Sequence, residues 1–153
     1  MDAYFAAHPM AHAVLNENGA QLAAFLAARE GTPALWAQLA DFEWWEWQTL
    51  VAPDAEADAR PDEGPLRLGS TVELRPYGFD FVGWLDGEGS RAAEPPRREV
   101  VVLFWRNRAL DARRELATSE ELRVLKAVHE GQPVAEDETL ADLRQAGIVL
   151  GAR

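Results

Sequence analysis

Few side chains in this sequence are able to do chemistry, and Glu43 is the one whose placement most needs explaining. Trp36, Leu39, Ala40, Trp47 and Leu50 recur around it at helical spacing. At about 100° per residue these positions fall on one side of a helix, with Glu43 near the centre of that side. A carboxylate so placed is desolvated unless it is paired or hydrogen-bonded. It is then either a structural carboxylate held by an arginine or an indole N–H, or a polar anchor with a raised pKa. Trp45 falls nearly opposite Glu43, because neighbours in sequence point apart on a helix. If the Glu43 side is core, Trp45 is either exposed at an interface or covered by another element.

The remaining candidates are weaker. His8 and His12 have the i, i+4 spacing of a helical metal pair, but Pro9 lies between them and no third ligand is near. Carboxylate-rich iron sites draw ligands from several inward-facing positions, and no such set is evident. There is no cysteine, hence no thiolate ligand, disulfide or cysteine nucleophile. Phosphate-cradling glycine loops and the Gly-x-Ser-x-Gly elbow are also missing. Ser70, Ser90 and Ser119 fall at turns or a cap. The sequence thus nominates no catalytic residue, no metal site and no cofactor site.

Arginines are the one basic concentration, at 97, 98, 106, 108, 113 and 114. Around an edge strand they have two readings. They set the register of an extended acidic peptide that pairs with the strand, or they block edge-to-edge aggregation. As peptide-binding candidates they are Arg106, Arg108, Arg113 and Arg114. Glu43, Trp45, Trp47, Tyr77 and Trp84 are the candidates for structural or interface roles.

Charge narrows the partners. The net charge is −11 over 153 residues. Positions 1–65 hold eleven acids against two arginines, whereas 66–153 are nearly balanced. Such a field repels phosphate backbones, so nucleic acid is not the expected partner. No apolar run approaches the roughly 20 residues of a membrane span. The start lacks a basic signal-peptide region, and the expected location is cytoplasmic.

The elements that position these residues read as α+β. Asn16–Glu30 is Ala/Leu-rich and ends at Gly31; Thr32-Pro33 opens a second helix to about Val51. Positions 53–65 form an acidic linker between a helical segment, 1–52, and a sheet-bearing segment, 66–153. Thr71–Arg75 alternates as a strand, Pro76-Tyr77-Gly78 reads as a turn, and Phe79–Leu85 as a second strand. Val100–Trp105 is uninterruptedly apolar, the pattern of a strand covered on both faces. Leu110–Leu116 alternates as a half-exposed strand at an edge. Thr118-Ser119-Glu120-Glu121 is a capping box opening a helix to Gly131. A shorter helix, 138–146, and a closing strand, 147–150, complete a winged-helix-like end.

Four of these stretches resemble one bacterial family: Leu39-Ala40-Asp41-Phe42-Glu43, Pro76-Tyr77-Gly78-Phe79, Val100–Trp105 with Arg106, and Leu122–Gly131. The family, long labelled DNA-binding, includes the partner subunits of multinuclear non-heme iron-dependent oxidases, as in methanobactin biosynthesis. Its longer members carry additional N-terminal helices, so this chain is expected to be a short form or a fragment. The resemblance implies a heterodimer with a barrel oxidase that holds the iron, and a role in binding the leader of a cysteine-containing precursor peptide. The alternative is a DNA-binding regulator, suggested by the winged-helix-like end. Its would-be recognition helix, 138–145, carries three acids and one arginine, whereas major-groove readers present Arg, Lys, Asn or Gln.

Overall fold

A computed structural model describes residues 2–13, 15–53, 55, 58, 61–87 and 94–151. Three short N-terminal elements come first: α1 (Asp2–Ala7), a 3-10 helix (Leu15–Gly19) and α2 (Leu22–Ala28). The single helix expected over 16–30 is therefore interrupted. Asn18 explains the break, because its side chain competes for backbone groups. Its Oδ1 accepts from the N–H groups of Ala11 and His12 at 3.0 and 3.1 Å, and Tyr4 Oη donates to its carbonyl at 2.6 Å.

Helix α3 (Ala34–Val51) is the longest element and lies between two layers. One face meets α1 and α2. The other packs on a three-stranded antiparallel sheet of order β2 (Glu73–Phe79), β3 (Arg97–Arg106), β4 (Ala112–Leu116). The sheet-facing stripe is Leu35, Leu39, Phe42, Trp45 and Thr49, which with Tyr77, Phe79, Val102 and Phe104 forms one core. Glu43 is exposed and belongs to the opposite face. In the sequence reading Glu43 and Trp47 hold the helical half to the sheet; the structure corrects this, because Trp45 joins the helix to the sheet. The helix carries aromatic residues on every side, so apolar spacing alone marks two stripes and does not choose between them. Trp36 and Leu50, from the other stripe, stay more than half exposed.

The second face of the sheet is covered by α5 (Ser119–His129), α6 (Glu138–Gln145) and a two-stranded pairing of β5 (Val149–Leu150) with β1 (Arg67–Leu68). Leu103 and Trp105 alternate with Val102 and Phe104 and point into this second core. That alternation is why Val100–Trp105 reads as continuously apolar: each neighbour serves a different core. Trp105 Nε1 donates to the carbonyl of Ala146 at 3.1 Å, tying the sheet to the end of α6. Strand β5 pairs with a strand some eighty residues earlier rather than with a following one, so the described chain has no wing hairpin at this point.

Two further expectations change. Pro76-Tyr77-Gly78 is not a turn but part of β2, with an irregularity between Tyr77 and Phe79. The stretch 79–85 is not a strand; after Phe79 it becomes α4 (Phe81–Asp86). Asp80 caps that helix by accepting from the Gly83 N–H at 2.8 Å. Its aromatic composition suits a strand, but the cap and the spacing of Phe81, Val82 and Leu85 favour one helical face. Of the linker, positions 54, 56, 57, 59 and 60 fall outside the described residues, as do positions 88–93 of the second loop.

The capping box of α5 is present. Thr118 Oγ1 accepts from the Glu121 N–H at 3.2 Å, and Glu121 Oε2 accepts from the Thr118 N–H at 2.7 Å. Thr118→Ala is expected to cost about 1 kcal/mol in urea denaturation, with Thr118→Ser restoring most of it.

Candidate functional site

The four arginines of the β3–β4 hairpin are all engaged within the chain. Arg106 Nη1 donates to the carbonyls of Leu50 and Ala52, at 3.3 and 2.6 Å, and so caps the C-terminus of α3. Arg108 pairs with Asp62 at 3.2 Å and Arg113 with Asp111 at 2.8 Å. Arg114 pairs with Glu46 of α3 and with Asp86 at 2.9 Å, and its Cζ lies 5.7 Å from the centre of the Phe42 ring. Arg106 and Arg114 thus bind the hairpin to α3. Arg108 and Arg113 sit on the surface in exposed pairs, which contribute little and exchange readily for a ligand carboxylate.

Backbone groups make the edges of the sheet unequal. The Ala117 N–H donates to the Val101 carbonyl at 2.9 Å, which fixes the alternation along all three strands. Val101, Leu103 and Trp105 turn their polar backbone toward β4; Val100, Val102 and Phe104 turn theirs toward β2. From the register, the outward backbone positions are Ala112, Arg114 and Leu116 on β4, and Leu74, Pro76 and Gly78 on β2. Pro76 has no N–H, and the Gly78 N–H is already donated to Gln38 Oε1 at 2.7 Å. The β2 edge is closed to strand addition, as edge strands commonly are. On β4 the outward N–H and C=O groups have no partner among the described residues, and a cavity of about 700 Å³ opens where β4 ends, lined by Gln38, Tyr77, Val100, Leu116 and Leu122 among others.

At the tip of this hairpin, Leu110 holds φ at 66° and is 60% exposed. A non-glycine residue in the left-handed region is uncommon, and one with a bare isobutyl side chain more so. Asn107 sustains the turn, its Oδ1 accepting from the N–H groups of Ala109 and Asp111, both at 2.9 Å.

A polar network that the residue types alone did not single out joins α3 to β2. Arg75 donates to Asp41 through Nε (3.3 Å) and Nη2 (3.1 Å to Oδ1), and Tyr77 Oη donates to Asp41 Oδ2 at 2.9 Å. The Arg75 Cζ lies 5.1 Å from the Trp45 ring centre. Burial, reinforced by the Asp41 charge, holds the Tyr77 hydroxyl far above its usual range, so it stays a donor. The signal for this site was a carboxylate and an indole four residues apart on α3, opposite an arginine on a strand. Trp84 is half-buried on α4.

Glu43 lines a cavity of about 450 Å³ on the other side of α3, together with Phe5, Asn16, Leu22, Trp44 and Trp47. The Trp44 and Trp47 rings lie 5.3 Å apart, tilted by 43°. His8 packs on Tyr4 and Phe25, at ring separations of 5.0 and 6.0 Å. Among the described residues, no group of three His, Asp or Glu side chains is arranged to hold a metal ion, and no helix is long and apolar enough to cross a membrane. No family model and no curated protein matches the chain.

One carboxylate on the β4 strand gives a pH prediction. Glu115 is half-buried, and burial, with the nearby Glu121 charge, raises its pKa above the ordinary 4.5. The folded state then holds the proton more tightly than the unfolded one, so stability falls as pH rises through the window above 4.5. Glu115→Gln should therefore stabilise the protein at pH 7 by about 0.5 kcal/mol, a figure reduced for partial exposure. The gain should vanish below pH 4, where both states carry the proton; thermal melts at the two pH values check it.

Proposed function

We propose that this chain is a non-catalytic partner subunit that holds the leader of a precursor peptide as an added strand on β4 and supports an iron-dependent barrel oxidase modifying cysteine-containing ribosomal peptides. The observation that carries the peptide-binding part is the asymmetry of the sheet: one edge is closed by Pro76 and Gln38, while the other offers Ala112, Arg114 and Leu116 in the outward register. Arg113 and Arg108 flank that edge in exposed pairs that an acidic peptide can displace. Leu110 adds an apolar contact at its end. The oxidase part rests on the sequence resemblance, whose four stretches fall on α3, β2, β3 and α5. In this reading the iron and its ligands belong to the oxidase, and the location is the cytoplasm.

DNA binding gains no support from α6. Its exposed positions are Glu138, Ala141, Asp142 and Gln145, and its arginine, Arg144, is taken up by Glu136 at 3.1 Å.

The test is co-expression with a barrel oxidase encoded beside the gene and with a short cysteine-bearing peptide. A stoichiometric complex is expected, with amide exchange at Ala112, Arg114 and Leu116 slowed by the peptide. Ala112→Pro, which removes only an outward donor, together with Arg113→Glu should abolish peptide protection. Stoichiometric iron binding by the purified chain alone, or unaided turnover, overturns the proposal. Tight, salt-sensitive binding of random duplex DNA would return the regulator reading.

A further inference from the structure

Helix α3 carries three consecutive pairs of one carboxylate and one aromatic ring at i, i+4: Asp41 with Trp45, Phe42 with Glu46, and Glu43 with Trp47. Residues at this spacing lie side by side on a helix. In the first pair, Arg75 is bonded to Asp41 through two nitrogens while its Cζ sits 5.1 Å from the Trp45 ring centre. In the second, Arg114 is paired with Glu46 while its Cζ sits 5.7 Å from the Phe42 ring centre. Each pair thus receives one guanidinium, its nitrogens on the carboxylate and its Cζ over the ring. The third pair is rotated away from the sheet and lines the 450 Å³ cavity beside α1 and α2. Glu43 has no ion pair or hydrogen bond among the described residues, and it is exposed.

We infer that the Glu43–Trp47 pair is a receptor for an arginine side chain of a partner polypeptide. The two filled pairs supply the template for the ligand, since the same helix meets the same residue types with a guanidinium twice. A planar, delocalised cation suits both contacts at once, stacking on an indole while donating two parallel N–H groups to a carboxylate. All three cation–ring contacts among the described residues, those of Arg75, Arg97 and Arg114, use arginine. Electrostatics favours entry, because the chain carries a net charge of −11 and Glu43 itself is unpaired among the described residues. Phe5 and Trp44 extend the apolar wall beyond the pair, enough for the methylene stem of the incoming side chain. The site lies across α3 from the β4 edge, and the inference does not depend on the strand-addition proposal. Ala112→Pro with Arg113→Glu should leave it intact.

The experiment is an NMR titration of the full chain with N-acetyl-arginine-N-methylamide, reading the tryptophan indole N–H signals, with Trp44→Phe and Trp47→Phe used for assignment. A saturating shift confined to Trp44 and Trp47 is expected. The lysine analogue should bind more weakly and the uncharged citrulline analogue not measurably. Glu43→Gln, at an exposed position that does not endanger folding, should weaken binding by about fivefold. Equal response to citrulline, shifts spread over all six indoles, or no effect of Glu43→Gln overturns the inference. So does the absence of any saturable shift. A stronger response to tetramethylammonium would instead assign the groove to quaternary ammonium ligands. Self-association abolished by Glu43→Gln would assign it to a second copy of this chain. Either outcome also overturns it.

Discussion

Phe42→Ala is expected to lower the unfolding free energy by about 4 kcal/mol, the middle of the range for truncating a buried phenylalanine. The ring has no exposed surface. It lies 5.2 Å from the ring of Phe81, 5.3 Å from Phe104 and 5.7 Å from Tyr77, so it joins α3, α4, β2 and β3 at one point. Its neighbours are themselves rings in edge and tilted contacts, which cannot collapse into the space a truncation leaves. Phe42→Leu, which keeps most of the volume, should lose about 1.5 kcal/mol. Urea denaturation followed by tryptophan fluorescence measures both. A loss under about 1 kcal/mol for the alanine variant would mean that α3 does not depend on this ring to dock on the sheet. Because β4 is supported by the same helix, the proposed peptide protection at Leu116 should also be lost in the alanine variant before it unfolds globally.

The parts of this fold that were legible in the sequence are those where one local rule decides the outcome. The Val100–Trp105 run declared a strand with two covered faces because no polar residue interrupts it, and the structure buries 102 to 105 between two cores. Thr118 and Glu121 declared a helix start because a capping box satisfies two orphan N–H groups reciprocally. An edge strand ending at Leu116 followed from simple alternation. What was not legible required a choice between equally apolar alternatives. Helix α3 offers Trp36, Trp47 and Leu50 on one side and Leu35, Leu39, Phe42 and Trp45 on another. Only the presence of Arg75 and Arg114 on the sheet, waiting for Asp41 and Glu46, selects the second. Those ion pairs span 34 and 68 residues, and no local pattern encodes such a separation. Likewise Asn18 breaks an otherwise convincing Ala/Leu helix through bonds to residues 11 and 12. For the candidate site, the arginines were found from sequence, but what qualifies the β4 edge is the register that leaves Ala112, Arg114 and Leu116 outward.

Arg114→Ala is the second change with a large expected effect, about 2 kcal/mol at pH 7. That figure lies between the small worth of an exposed pair and the cost of breaking a buried one. The guanidinium serves three groups at once: Glu46, Asp86 and the face of Phe42. Its side chain is 25% exposed and that of Glu46 32%, so solvent screens the pair only in part. Burial already raises the Glu46 pKa against the opposing charge of Arg114, and the Glu43 charge adds to the rise. Without the arginine, Glu46 should titrate higher still. A carboxyl whose folded pKa is raised lowers stability as pH climbs from its ordinary 4.5 through the folded value. The penalty of Arg114→Ala should therefore be largest at neutral pH and shrink by pH 4, where Glu46 carries its proton with or without the arginine. Adding Glu46→Gln should recover part of the loss at pH 7 and almost none at pH 4, a non-additivity that a double-mutant cycle measures directly. Arg114→Lys should recover little, because a single ammonium cannot reach both carboxylates and stack on Phe42. A penalty equal at pH 7 and pH 4 would mean that Arg114 holds α3 through its contact with Phe42 and not through its carboxylate partners.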